Sequence, residues 1–220
     1  MVRIARVIAT GHPHHITQRG NNKQIVFIDD EDRRQYLFWL KEYSHRYHTD
    51  ILAYCLMNNH VHFIAVPHND NSFSHTFDAT HTRYSQYFNK KNNACGHLWQ
   101  GRYYSCVLAE NHFYCALRYV LQNPVRAGNI KKAWDWKWSS ARTHMGIVRN
   151  DFGLKNIQEM IDIDNWEEYL AEIEKSKELD LLRQNTRNGR PLGNDDFVQN
   201  LGNSLGRHLF KKKSGRPKKE

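Results

Sequence analysis

Apolar positions change period several times along the chain, and each change marks an element. His14 to Gly20 (HHITQRG) reads as a first strand, followed by a loop through Asn21 and Asn22. The acidic cluster Asp29, Asp30, Glu31 and Asp32 suits the start of a helix, where the macrodipole favours negative charge. Tyr36, Leu37, Leu40 and Tyr43 then recur at helical spacing to about His48. Ile51 to Met57 (ILAYCLM) is an unbroken apolar run of strand length, and Asn58-Asn59 is a turn signal. His60 to Val66 (HVHFIAV) forms the next strand and Pro67 stops it. Ser72 to Lys90 reads as a second helix, Tyr103 to Ala109 as a further strand, and His112 to Asn123 as a third helix ended by Pro124.

The order strand, helix, strand, strand, helix, strand predicts an α+β fold of ferredoxin-like type. Its antiparallel sheet carries helices packed on one face, with a third helix added. Trp134, Trp136 and Trp138 are expected to close this body near residue 140, giving a unit over residues 1–150. Residues 155–183 read as helix, with Trp166, Tyr169, Leu170, Ile173 and Leu181 as apolar contacts, so 151–183 forms an acidic helical segment. From Gln184 on, Gly, Asn, Arg and Lys dominate, and 184–220 is expected to be a basic, partly disordered tail suited to DNA binding.

Charge sharpens this division. The 220 residues carry a net +9. Residues 1–150 hold 19 Lys/Arg and 10 Asp/Glu, residues 151–180 hold 3 and 10, and residues 181–220 hold 10 and 3. A basic body and a basic tail point to nucleic acid as partner, through release of counterions from phosphates. No run of about 18 apolar residues exists, so a membrane span is excluded. The first nine residues lack a signal peptide's apolar region, and a cytoplasmic, nucleoid-associated protein is expected. Cys55, Cys95, Cys106 and Cys115 show no CxxC pairing, as expected of reduced, buried thiols.

The candidate chemistry starts from His60 and His62. Two apart in a strand, they emerge on one face and can share a divalent ion. In a chain with 14 histidines an HxH pair also arises by chance. Zinc usually takes four N/S ligands, and the sequence supplies no such set. An oxygen donor as third ligand would instead suit Mg²⁺ or Mn²⁺. In the third helix, Phe113, Leu117, Val120 and Leu121 make the core face. Tyr119 and Asn123, an i, i+4 pair, share a separate flank, and Tyr114 points the other way. A tyrosine that attacks a phosphodiester keeps the bond energy in a phosphotyrosine, so the strand can be rejoined without ATP.

MNNHVHFIAVP (57–67), GHLWQGRYYS (96–105), LRYVLQNPVRAG (117–128) and WKWSSAR (136–142) together resemble the REP-associated tyrosine transposases. These are relatives of the single-tyrosine insertion-sequence transposases. GHPHHITQRGNNKQIVF (11–27) resembles their N-terminal strand and loop, so the likeness covers about residues 5–145.

The resemblance implies an HUH nuclease in which His60 and His62 ligate Mg²⁺ or Mn²⁺, Asn123 is the third ligand and Tyr119 is the nucleophile. The implied substrate is single-stranded DNA at hairpin-forming palindromic repeats, cut to leave a 5′-phosphotyrosine and a free 3′-OH. One departure is Asn58, where the family pattern has proline. A domesticated DNA-binding regulator that kept the fold and lost catalysis is the alternative, and a homodimer is compatible with either reading.

Arg19, Arg83, Arg102, Arg118 and Arg126 are candidates for phosphate contacts, and Trp99 or Tyr103 for base stacking. Arg216, in KKKSGRPKK (211–219), resembles the centre of a minor-groove AT-hook, although the same residues equally suit a solubilising tail.

Overall fold

The computed structural model describes residues 5–172 and 176–211. Strands β1 (His14–Arg19), β2 (Thr49–Leu56), β3 (His60–Pro67) and β4 (Tyr104–Val107) form one sheet in the order β2-β3-β1-β4. Every neighbouring pair is antiparallel. Helix α1 (Asp30–Arg46) links β1 to β2, and α2 (Ser72–Lys91) links β3 to β4, which is the ferredoxin-like arrangement.

Both helices lie on one face of the sheet. There Ile16, Val61, Phe63 and Ala65 meet Tyr36 and Leu40 of α1 and Phe73, Phe77 and Tyr84 of α2. The acidic cluster starts α1 by a capping box between Asp29 and Asp32. Asp32 is fully buried but well partnered. It accepts from the Ile28 N–H at 2.7 Å and pairs with Lys91 Nζ at 2.7 Å, tying the start of α1 to the end of α2. Asn58, the departure from the family pattern, accepts from Arg33 Nη2 at 2.6 Å, so a polar side chain fixes the turn before β3.

The opposite face is covered by α3 (Glu110–Leu121), whose Phe113, Leu117 and Val120 pack on Leu52, Ile64 and Val66. With helices on both sides, the strands are buried on both faces, and this explains the unbroken apolar runs of β2 and β3. Pro124 does not end helical structure. The chain leaves α3 at Leu121 and makes one further turn, α4 (Asn123–Arg126), with Asn123 at its start. After α5 (Ala141–His144), the expected helix over 155–183 is broken. Asn165 caps a short α6 (Trp166–Ala171), and α7 (Ser176–Asn188) follows as a separate helix. Ile173 lies outside the described residues.

The described part of the expected tail, 184–211, is folded against the body. Leu192 exchanges backbone hydrogen bonds with Val107 and Ala109, both at 2.8 Å. Val198 and Leu201 of α8 (Asp195–Ser204) and Leu209 pack with Val7, Ala9 and Val107. The composition of this segment is polar because its outer face is solvated, while its few apolar residues face inward. Arg216 and the rest of the AT-hook-like sequence lie outside the described residues.

Candidate active site

Register on the sheet brings the candidate residues together. On β1 and β3, Thr17 pairs with His62 and Arg19 with His60. Alternation then puts His15, Thr17 and Arg19 on the same face as the two histidines, under α3. The ring of Tyr119 stands edge-on to both His62 and His15, with centroids 5.5 Å from each. Asn123, one turn further, places its Oδ1 3.4 Å from His60 Nε2. Tyr119 and Asn123 are both 8% exposed, so the flank that a helical wheel sets aside from the core is a buried one facing the histidines.

Hydrogen bonds define which nitrogen of each histidine is free. Asn59 donates through Nδ2 to the Lys23 carbonyl, so its Oδ1 faces His60 Nδ1 at 2.6 Å and accepts a hydrogen bond from the N–H there. His60 Nε2 is left with a lone pair directed at another acceptor, the Asn123 oxygen. The Asn123 Nδ2 is buried without a partner. His62 Nδ1 is engaged by His15 Nε2 at 2.9 Å, which leaves His62 Nε2 as its available donor atom. Burial, with help from Arg19, lowers the His60 pKa to about 4, and burial drives that of His62 well below its usual value. Both imidazoles are therefore neutral near pH 7, the form that binds a metal. Among the described residues no three His, Cys, Asp or Glu side chains cluster to hold a metal. The donor set here is two neutral nitrogens and one amide oxygen, and it fits a divalent ion with open positions.

Positive charge surrounds the tyrosine. The Arg126 guanidinium lies 4.2 Å from the Tyr119 ring centroid and donates to the Tyr119 carbonyl. The Arg183 guanidinium of α7 lies 5.6 Å from the Tyr119 ring centroid, and its interaction with Tyr119 is the main reason its own pKa is raised. These groups line a cleft of about 730 Å³ that also receives Arg19, Tyr104, Thr186 and Arg187. An open cleft with four arginines around neutral histidines suits a phosphate backbone.

Residues 9–123, more than half of the chain, match the sequence profile of the family described as IS200-like transposases. The chain belongs to the IS200-like transposase family. Among solved structures, that of a REP-associated tyrosine transposase bound to a REP hairpin aligns with a TM-score of 0.54 and 18% identity. The alignment covers 79% of this chain and 95% of that one, and it shows that the two share a fold. A Deinococcus radiodurans R1 protein, provisionally described as a transposase, aligns with a TM-score of 0.39 and 17% identity over 56% of this chain and 97% of its own. No curated protein gives a significant match.

The transposase does not bring all of its sequence-predicted DNA contacts to this cleft. Arg19 and Arg126 line it. Trp99 and Tyr103 are 7% and 1% exposed and pack largely into the core, at the edge of a different cavity. Trp99 packs among Tyr36, His81 and Tyr84, and the Tyr103 ring is covered by Arg6 at 3.8 Å. Arg102 lines a second cavity of about 720 Å³ beside α2. Arg83 is exposed over Trp39, and Arg118 pairs with Glu172 across the Tyr169 ring. The buried-thiol expectation holds for Cys55 and Cys106; Cys115 is partly buried and Cys95 is exposed.

Sequence reasoning missed His15, Arg183 and Thr186. Alternation along β1 could have offered His15, because HHITQRG puts it on the face of Thr17 and Arg19. Nothing local signals Arg183 or Thr186, which lie on a helix whose docking against β4 and β1 is a tertiary fact. Among the described residues, no helix of the transposase is long and apolar enough to cross a membrane.

Proposed function

We propose that this transposase is a metal-dependent single-stranded DNA endonuclease and strand transferase that acts on hairpin-forming repeat DNA through Tyr119. The observation that carries this reading is convergence in one arginine-lined cleft. His60, His62, Asn123 and Tyr119 come from three elements and meet there. His60, His62 and Asn123 would hold Mg²⁺ or Mn²⁺, and such an ion, when bound, supplies positive charge to the oxygens of the scissile phosphate.

The chain's own groups account for the remaining chemistry. The Tyr119 oxygen forms a bond to phosphorus while the bond from phosphorus to the 3′ oxygen breaks. The phenol gives up its proton, and the departing oxygen ends as a 3′-OH. The 5′ phosphate stays on Tyr119 until another 3′-OH attacks it and releases the phenol. Arg126 fixes the tyrosine from its ring face, and Arg183 sets a cation beside it. The hairpin partner is supported by the solved relative described as bound to a REP hairpin, and the net charge of +9 favours DNA of any kind.

Hairpin oligonucleotides made from palindromic repeats near the gene, with single-stranded flanks, provide the test. Cleavage in the flank with Mn²⁺ or Mg²⁺, stopped by EDTA and restored by the ion, is the expected result. Binding without cleavage under all ions would support the regulator reading instead.

A further inference from the structure

Three buried side chains form a hydrogen-bonded line that leads from the C-terminal region into the metal site. Thr186 Oγ1 on α7 lies 2.8 Å from His15 Nδ1, and His15 Nε2 lies 2.9 Å from His62 Nδ1. Thr186 and His15 are both 2% exposed and His62 is 5% exposed, so water does not compete for these bonds. The rings of His15 and His62 are stacked within 9° of parallel. This line lies partly outside the residues that match the family profile, which end at 123.

A line of two imidazoles and a hydroxyl can be polarised in either direction. If protons point toward Thr186, His62 donates from Nδ1 to His15, and His15 donates from Nδ1 to the Thr186 oxygen. His62 Nε2 then keeps its lone pair. If protons point the other way, Nδ1 of His62 is an acceptor and the ring's own proton sits on Nε2, where a cation cannot bind. Beside Thr186, the Cys106 thiol sends its own proton to the Val107 carbonyl at 3.4 Å, so its sulfur can take the Thr186 hydroxyl proton and leave that oxygen free to accept from His15. From this we infer that His15 and Thr186 are positioning residues that hold His62 in the Nδ1-protonated tautomer, ready to ligate through Nε2. The inference rests on the metal site of the proposed function and assigns a role to a helix beyond the matched region. A line that served only to satisfy buried polar atoms would work in either polarity, whereas this role demands one.

Outer-shell partners of metal-binding histidines commonly change affinity by about 10–100-fold when removed. Thr186→Val keeps the shape of the side chain and deletes the acceptor. His15→Phe keeps the stacked ring and deletes both nitrogens. The test uses the full chain labelled with ¹⁵N at histidine. Long-range proton–nitrogen NMR of the metal-free protein reads the His62 tautomer, and titration with Mn²⁺ reads affinity.

Wild type should show His62 protonated on Nδ1. Thr186→Val and His15→Phe should lose that preference and bind Mn²⁺ roughly 10–100-fold more weakly. Thr186→Ser should restore both. Thermal midpoints near that of wild type establish that each variant is folded. A wild-type His62 protonated on Nε2, or unchanged Mn²⁺ affinity in both variants, overturns the inference. Failure of every form to bind Mn²⁺ or Mg²⁺, with the tautomer as described, overturns the metal reading and leaves the orientation of His62 standing.

Discussion

The Oδ1 atom of Asn123 faces Nε2 of His60 across 3.4 Å, although both atoms carry lone pairs toward the gap. The orientation of His60 is fixed by Asn59, and the buried Asn123 amide has no partner for its Nδ2. A cation between the two acceptors would relieve their opposition. Asn123→Ala should weaken Mn²⁺ binding by at least the roughly tenfold expected of an outer-shell change, while Asn123→Asp should keep or tighten it. Calorimetric titration decides this; equal affinities for wild type and Asn123→Ala would remove Asn123 from the donor set.

His60→Ala and His62→Ala should abolish cleavage to the same extent as EDTA. Hairpin affinity should change by less than about threefold, because phosphate contacts by the arginines supply it. Electrophoretic binding and cleavage assays on one labelled hairpin read both quantities. Loss of binding in parallel with cleavage would show that the histidines hold DNA rather than metal.

Trp99 lies in the aromatic core between α1, α2 and the sheet and donates from Nε1 to the His81 carbonyl at 3.2 Å. Trp99→Ala should therefore cost about 3–5 kcal/mol of stability, as large-to-small changes of buried aromatics do. Trp99→Phe should cost less and leave hairpin affinity intact. Urea denaturation and hairpin titration of both variants check this, and a stable Trp99→Phe protein with lost affinity would return the residue to a base-stacking role.

Acid should destabilise the fold well before the carboxylates titrate. Burial lowers the pKa of His14 and His81 to about 3 and that of His144 to about 4, against an ordinary value near 6.5. Below about pH 6.5 the unfolded chain takes up protons at these sites that the folded chain refuses, so stability falls as pH falls. The contribution is fully present above about pH 6.5 and is lost progressively toward pH 4. Urea midpoints should be level from pH 7 to 8 and decline steadily from 6.5 to 4.5. A level profile over that lower range would contradict neutral burial of these rings.

Much of this architecture was legible because it is local. The acidic start of α1, the apolar runs of β2 and β3 and the i, i+4 pairing of Tyr119 with Asn123 follow from spacing, and the HxH pattern placed both histidines on one face. What escaped was carried by tertiary contact. Thr186 and Arg183 sit on a polar helix with few apolar residues, and only its packing on β1 and β4 shows that they enter the site. Trp99 and Tyr103 followed a basic, aromatic motif that looks like a DNA surface, but the sheet's helical face needed large rings and took them. Asn165 and the break before α7 were hidden within an acidic stretch of high helical character.

The covalent intermediate is the most direct test of the account. Wild-type protein incubated with a hairpin substrate and Mn²⁺ should yield an SDS-resistant adduct on the 5′ side of the break. Mass spectrometry should find the nucleotide on the peptide that contains Tyr119. Tyr119→Phe removes one oxygen, keeps the ring between Arg126 and His62, and should bind the hairpin normally while forming no adduct. Tyr114, whose hydroxyl lies 3.2 Å from the Asp162 backbone nitrogen, should tolerate the same change with adduct formation intact. Cleavage by Tyr119→Phe at the wild-type rate, or cleavage by wild type without any adduct, would contradict a tyrosine nucleophile.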